Sequence, residues 1–465
     1  MDPAAHHVVA LPSPGRGHVN PMLNLCENLL ARAGDRLLIS FVVTEEWLGL
    51  LGPAAAAAAA SPRHTGLRFR TLPNVLPSEH NRGADMKDFI EALYTRMEGP
   101  FDELLGRLRQ EEGEGEPPVR GIIYDTFLSW AVAVGNRRQI PVYSLFTQSA
   151  SFFSVLHYLH LVPHGEPLHL TVFEEPDESL DFIPGITSLK MGDIQSIYSL
   201  DKSLTLVRDI FSWAAKAQCL LFTSFYELES RAVDALKATL PFPIYPVGPS
   251  IPYTALHNMS SMPVTESCYY SWLETQPRGS VLYVSLGSFL FVSNEQMDEI
   301  ARGLCASGVS FLWVARREAA RMQEMSGGTG LVVPWCDQLK ALCHPAVGGF
   351  LTHCGWNSTL EAVYAGVPML TFPIAWDQPA NSRLIVDEWK TGLSLEGEAA
   401  GDRRVVGREE IARTVQRLMD SEGEESKELR SRAGELKEAC RRAVQVGGSS
   451  TVGLDAFIAH METGN

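Results

Sequence analysis

The stretch WCDQLKALCHPAVGGFLTHCGWNSTLEAVYAGVPMLTFPIAWDQ, residues 335–378, decides the fold of this chain. Its apolar run at 347–351 has the unbroken hydrophobicity of a parallel strand buried on both faces. The run stops at Thr352-His353-Cys354-Gly355-Trp356-Asn357-Ser358, and residues 359–365 have helical composition. Strand, tight turn and helix start in that order form one βα unit. The first turn of a helix carries unpaired backbone N–H groups and the positive end of the macrodipole, so it can hold a diphosphate without a metal. His353, Asn357 and Ser358 add side-chain donors at the same point. The competing structural reading makes Ser358-x-x-Glu361 a capping box, with the glycines serving only the turn.

The same alternation extends outward. Residues 280–285, 311–315, 330–333 and 369–372 are strand candidates with helical runs between them. The N-terminal half repeats the pattern at 7–11, 37–43, 67–71, 121–124, 142–145 and 219–223. Between its first two strands, Asn20 reads as a helix cap with Pro21 at the first helical position. At 465 residues the chain exceeds what one hydrophobic core supports. The prediction is therefore an α/β protein of two Rossmann-like, doubly wound domains. Residues 1–248 form the first domain and 249–266 the linker, 267–447 form the second domain, and 448–465 make a terminal helical segment. The alanine tract 54–60 and the acidic run 111–118 read as surface connections.

Composition narrows the function. An apolar fraction of 45% and a charged fraction of 20% are those of a globular protein. The formal charge of −16 argues against nucleic acid or an anionic membrane as partner, so any anion site must be local. Eight cysteines without a C-x-x-C pair read as free thiols of a reducing compartment. With neither a signal-peptide pattern nor an apolar run of about 18 residues, the expectation is a cytoplasmic protein with no integral membrane segment, monomeric. Gly15-Arg16-Gly17 could open a dinucleotide site, but the third glycine of G-x-G-x-x-G is replaced by Asn20, which disfavours a hydride-transferring enzyme.

Trp335, Gln338, His344-Pro345, Gly348-Gly349-Phe350, His353 to Ser358, Glu361, Gly366-Val367-Pro368 and Gln378 together resemble the 44-residue nucleotide-sugar signature of plant secondary-product glycosyltransferases. The resemblance extends more weakly over nearly the whole chain. It implies the GT-B fold, in which two Rossmann-like domains face each other across a cleft. The first domain binds the acceptor and the second the donor, and the last helix returns to the first domain. It further implies an inverting UDP-glycosyltransferase that uses UDP-glucose as co-substrate and needs no cofactor.

Residue by residue, the resemblance makes His18 the catalytic base and Asp125 its partner. Physically this is sensible: an imidazole at a helix N-terminus is disfavoured from charging, and a carboxylate stabilises it once it has taken a proton. Asp125 ends the run 121–124, so it should emerge at the carboxyl edge of the same sheet, where open α/β sheets place ligands. The plainer alternatives are a loop histidine and a helix N-cap. Trp335 would stack on uracil, with Gln338 and the backbone of Cys336 near base and ribose. Glu361 would accept from the ribose hydroxyls. Ser288, His353, Asn357 and Ser358 would hold the phosphates, and Trp356, Asp377 and Gln378 the hexose. Gln378 resembles glucose users, since galactose users usually carry His there. Cys336-Asp337, where Ala-Pro is common, and Trp376, where a small residue is usual, depart from the pattern.

No Asp-x-Asp and no zinc-like spacing occurs, so no metal is expected and the leaving group must be met by amides and His353. Phe127, Trp130 and Phe146, with Phe152 and Phe153, point to a flat apolar acceptor such as a flavonoid or other phenolic, a terpenoid or a hormone. The alternatives are a non-catalytic UDP-sugar binder and a UDP-sugar epimerase or hydrolase of the same fold.

Overall fold

The computed structural model describes residues 6–52, 66–79, 86–112, 116–161, 177–194, 210–214, 216–253, 268–287, 292–395 and 405–463. The alanine tract 54–60, residues 113–115 of the acidic connection, the linker from 254 onward, Ser288 and the last two residues lie outside them. The chain divides into two compact units. Unit one comprises Met1–His164, Lys202–Ser250 and Ala443–Asn465; unit two comprises Gly165–Asp201 and Ile251–Arg442. Residues 177–194, placed in the first domain by sequence, thus group with the second unit.

Unit one is built on seven parallel strands: β1 His6–Leu11, β2 Leu37–Thr44, β3 Leu67–Leu72, β4 Val119–Asp125, β5 Val142–Phe146, β6 Cys219–Phe222 and β7 Ile244–Pro246. Their order is β3-β2-β1-β4-β5-β6-β7, so the winding reverses between β1 and β4. The central strands are mostly apolar because both sheet faces are covered, while the edge strand β3 carries Arg68 and Arg70. One face carries helix α1, Arg16–Ala33, through Val19, Met22, Leu25, Cys26 and Leu29, all fully buried. The other face carries Phe101, Leu104, Leu105 and Leu108 of helix α2, Glu98–Glu112, and Trp130, Ala131, Val132 and Val134 of helix α3, Trp130–Arg138. Each such side chain contributes roughly 2 kcal/mol by leaving water.

Helix α1 starts five residues earlier than the sequence pattern implies. Its N-cap is Gly15, and Pro21 lies inside it. Proline at this sixth helical position removes one intrahelical hydrogen bond, the one the Gly17 carbonyl would have accepted, a loss that burial of the helix's apolar side against the sheet outweighs. The consequence is functional: His18 sits in the first turn of α1 rather than in a loop before it. The C-terminal helix Ser449–Thr463 belongs to unit one and buries Leu454, Phe457, Ile458 and Met461 against the same face as α1. Its ion pairs Arg32–Asp455 and Arg36–Glu462 are solvent-exposed and add little beside that burial.

Unit two repeats the plan with six parallel strands: β8 Val281–Ser285, β9 Ser310–Val314, β10 Gly330–Val333, β11 Val347–Thr352, β12 Met369–Thr371 and β13 Gly392–Ser394. The order β10-β9-β8-β11-β12-β13 reverses between β8 and β11. The short strands β7 and β13 were not read in the sequence, since β7 ends on Pro246 and β13 opens on Gly392, residues unfavourable in strands.

Candidate active site

At the reversal point of unit one, β1 leads into α1 and β4 ends on Asp125. Ligands bind at such points because neighbouring connections diverge to opposite faces and leave a crevice. His18 and Asp125 meet there, with Nδ1 of His18 2.8 Å from Oδ2 of Asp125. Asp125 is fully buried, while the His18 side chain keeps 26% of its surface exposed. The second carboxylate oxygen accepts the backbone N–H of Phe127 at 3.0 Å, which locks the carboxylate plane. An Nδ1–H that donates to the carboxylate leaves the imidazole lone pair on Nε2, the geometry of a general base.

Sequence reasoning missed a third member. Thr147 Oγ1 lies 2.9 Å from the same Nδ1, and Thr147 is buried just past the carboxyl end of β5, the strand beside β4. A polar residue directly after the apolar run 142–146 was the available signal. The following turn is rigid: Ser149 caps the helix Ala150–His160, and buried Glu229 accepts the N–H groups of Ala150 and Ser151, each at 3.0 Å.

Of the expected acceptor residues, Phe127 stands edge-on to His18, with ring centroids 5.7 Å apart, and is half-buried. Phe146 and Trp130 are core residues instead. Phe146 is enclosed by Phe127, Phe153, Phe211 and Phe222. Trp130 packs against Phe101 and donates its indole N–H to the Leu93 carbonyl at 3.1 Å. Both lie on the inward faces of their elements, where the helix layer needs large side chains to fill it. Phe152 and Phe153 are buried as well.

At the reversal point of unit two, β11 runs through His353-Cys354-Gly355 into the helix Trp356–Ala365. Gly355 is its N-cap and brings no side chain to cap it, and the first turn of a helix is where backbone N–H groups lack an intrahelical partner and can face an anion. The capping box is ruled out by position, since Ser358 is the third helical residue and Glu361 the sixth. The turn is tight: Cys354 adopts φ 64°, and Thr352 Oγ1 accepts the Cys354 N–H at 3.0 Å. Glycines on both sides make room for the His353 ring. A Cβ at Gly287 would lie 2.7 Å from Nε2 of His353, and one at Gly355 would lie 2.5 Å away. Burial lowers the His353 pKa to about 4, so near neutral pH the ring offers hydrogen bonds rather than charge.

The nucleoside-side residues form one network. Gln338 donates its amide N–H groups to Ser358 Oγ at 2.8 Å and to Glu361 Oε2 at 2.5 Å. Its carbonyl accepts the Tyr283 hydroxyl at 3.3 Å, and Tyr283 in turn lies 3.4 Å from Cys336 Sγ. Glu361 keeps some surface area, yet the protein mass around it pushes its carboxyl up to about 7. Trp335 is 66% exposed, an indole face in solvent. Asp337 caps the short helix Gln338–Leu342 by accepting the Lys340 N–H at 3.1 Å.

Asp377 and Gln378 open the helix Gln378–Arg383 and are both buried. The Gln378 carbonyl accepts the N–H groups of Ile374 and Ala375, so its NH2 is the part left to read a ligand. Trp356 departs from expectation. Its indole is 3% exposed and packs against Trp389, so only its backbone N–H can serve a ligand.

The family profile described as UDP-glucoronosyl and UDP-glucosyl transferase matches residues 233–402. UDP-glycosyltransferase 87A2 of Arabidopsis thaliana is 47% identical over 464 residues, covering 99% of this chain and 97% of its own, and 87A1 is 44% identical over 456 residues, covering 96% and 98%. Phytolacca americana UGT2, solved with UDP-2-fluoro-glucose and pterostilbene, superposes with a TM-score of 0.81 at 28% identity over 98% of this chain and 100% of that one. Medicago truncatula UGT71G1, solved with UDP-glucose, gives 0.77 at 26% identity, covering 98% of each chain. No helix among the described residues is long and apolar enough to cross a membrane. With its two doubly wound parallel sheets and its similarity to these relatives along almost its whole length, the chain belongs to the plant UDP-glycosyltransferases and is a glycosyltransferase of the GT-B fold.

Proposed function

We propose that the protein moves glucose from UDP-glucose, with inversion, onto a hydroxyl of a small, flat, apolar acceptor to give a β-glucoside. The observation that carries this reading is the 2.8 Å contact between His18 and the fully buried Asp125. Nε2 of His18 takes the acceptor's hydroxyl proton while the oxygen bonds to the anomeric carbon, and the bond from that carbon to the UDP oxygen breaks. Asp125 stabilises the imidazolium that results.

The diphosphate charge is met by the uncapped start of the helix Trp356–Ala365 and by hydrogen bonds from His353, Asn357 and Ser358, with Ser288 a further candidate. Trp335 stacks on uracil, Glu361 holds the ribose, and Asp377 and Gln378 read the hexose. Gln378 and the UDP-glucose of the Medicago relative favour glucose. The pterostilbene of the Phytolacca relative, with Phe127 beside His18, favours an aromatic acceptor. No metal step is needed, so chelator should leave the rate unchanged. Eight free cysteines suit a cytoplasmic protein.

The test is a panel of phenolic, terpenoid and hormone acceptors incubated with UDP-glucose and read by mass spectrometry, with the anomeric configuration taken from proton couplings. A β-glucoside supports the proposal. An α-linked product would refute inversion, UDP release without acceptor would mark a hydrolase or epimerase, and binding without turnover would mark a non-catalytic binder.

A further inference from the structure

Asn381 lies one turn into the helix Gln378–Arg383 and is wholly buried. Its amide NH2 donates twice, to the Cys354 carbonyl at 2.9 Å and to Oδ2 of Asp377 at 2.7 Å. Its backbone N–H donates to the Asp377 carbonyl at 2.9 Å. Its own Oδ1 is buried with no hydrogen-bond partner among the described residues. An amide whose oxygen is left idle in the interior is a poor choice for packing, since an apolar side chain of the same shape would fill the space without an orphaned acceptor. What only the amide supplies is its pair of N–H groups, and both are aimed at the donor site.

The two acceptors, brought together on one amide nitrogen, come from two different parts of that site. Cys354 is the left-handed residue of the turn that opens the helix Trp356–Ala365, where the phosphates are placed. Asp377 is the carboxylate placed on the hexose. We infer that Asn381 is a positioning residue: it pins the Asp377 carboxylate to the phosphate turn, and thereby sets affinity for the neutral hexose of a nucleoside diphosphate sugar without touching recognition of UDP. This rests on the reading of unit two as the UDP-sugar site. Nothing in the chain pattern marked Asn381, because its partners are 27 and 4 residues away and one of them is a backbone carbonyl.

The test titrates UDP and UDP-glucose separately into the full-length protein by calorimetry, for wild type, Asn381→Leu, Asp377→Ala and the double variant. Wild type should bind UDP-glucose more tightly than UDP. Asn381→Leu should lose roughly tenfold in UDP-glucose affinity, the loss expected of one hydrogen bond to a charged group, with UDP affinity held. On the Asp377→Ala background, Asn381→Leu should cost nothing further, because the residue acts through that carboxylate. Asn381→Ser carries the same expectation if the leucine variant is unstable. Equal weakening of UDP and UDP-glucose, an additive double variant, or failure of both substitutions to fold overturns the proposal and marks Asn381 as structural. A wild type that gains nothing from the hexose also overturns it, while a wild type that binds neither ligand rejects the donor-site reading itself.

Discussion

The two units share one topology and use it for opposite kinds of chemistry. Each sheet reverses its winding beside its first strand, and each presents residues from the two flanking strand ends. In unit one those ends deliver an imidazole against a buried carboxylate, a pair whose purpose is to change charge during a reaction. In unit two they deliver an uncapped helix start, a histidine lowered to about 4 and a web of amides, groups that keep their charge while an anion is held. The topology fixes where a ligand can sit; the side chains at the strand ends decide whether it is deprotonated or gripped.

The largest effect that could break this division belongs to His18→Ala. Loss of a general base should lower kcat by about 10² to 10⁴ while UDP affinity stays near wild type, since the base plays no part in unit two's anion contacts. Normal turnover, or a matching loss of UDP binding, would erase the contrast. Asp125→Asn should follow at about 10² in kcat, because an amide can neither fix the same tautomer nor balance an imidazolium. Its Tm is the necessary control, as the Phe127 N–H also bonds to this side chain.

A smaller effect sharpens the contrast from the other side. The Glu361 carboxyl is raised from its usual 4.5 to about 7 by burial. In the free protein the sign is clear: the folded state holds the proton more tightly, so this group's contribution to stability is complete below about 4.5 and is lost as pH rises through 7. A ribose held by the carboxylate reverses the preference. UDP affinity should therefore fall as pH drops below 7, approaching tenfold per unit. Glu361→Gln should bind UDP more weakly at pH 8 and lose this pH dependence. The titration of UDP itself is common to both proteins, so the difference isolates the carboxyl. Parallel pH curves would remove Glu361 from the ribose site.

How far the sequence could be read followed from range. Apart from β7 and β13, the strands of both sheets and the turn 353–358 are local patterns of hydrophobicity and turn chemistry, so they are visible in one dimension. His18 and Asp125 could be paired before the structure because the family resemblance supplies the pair and the strand-like run 121–124 puts Asp125 at the carboxyl edge of the sheet that β1 opens. The extent of α1 was misjudged because Pro21 imitates a helix start, and burial against the sheet overrides that local signal. Trp130 and Phe146 were misplaced because composition cannot say which side of a helix or strand faces the interior. Thr147, Tyr283 and Asn381 were missed because their roles rest on contacts between residues distant in sequence or with backbone atoms.

Thr147 supplies the smallest expected effect and the finest test of unit one. Its hydroxyl shares Nδ1 of His18 with Asp125, at 2.9 Å against 2.8 Å. The carboxylate carries the electrostatic part of the interaction, since it alone can balance charge on the ring. What the hydroxyl adds is direction, holding the imidazole against rotation about its side-chain torsions. A neutral hydrogen bond contributes about 1 kcal/mol net, which as a barrier change is roughly fivefold in rate. Thr147→Val keeps the buried shape and removes only the hydroxyl. Its kcat should fall by about that factor, with the UDP-glucose KM unchanged and no added loss on the Asp125→Asn background beyond a factor of about two. An unchanged kcat would show that Asp125 alone orients the ring. A raised KM at constant kcat would instead assign the hydroxyl to a bound ligand, and the proton-moving group of unit one would reduce to a pair.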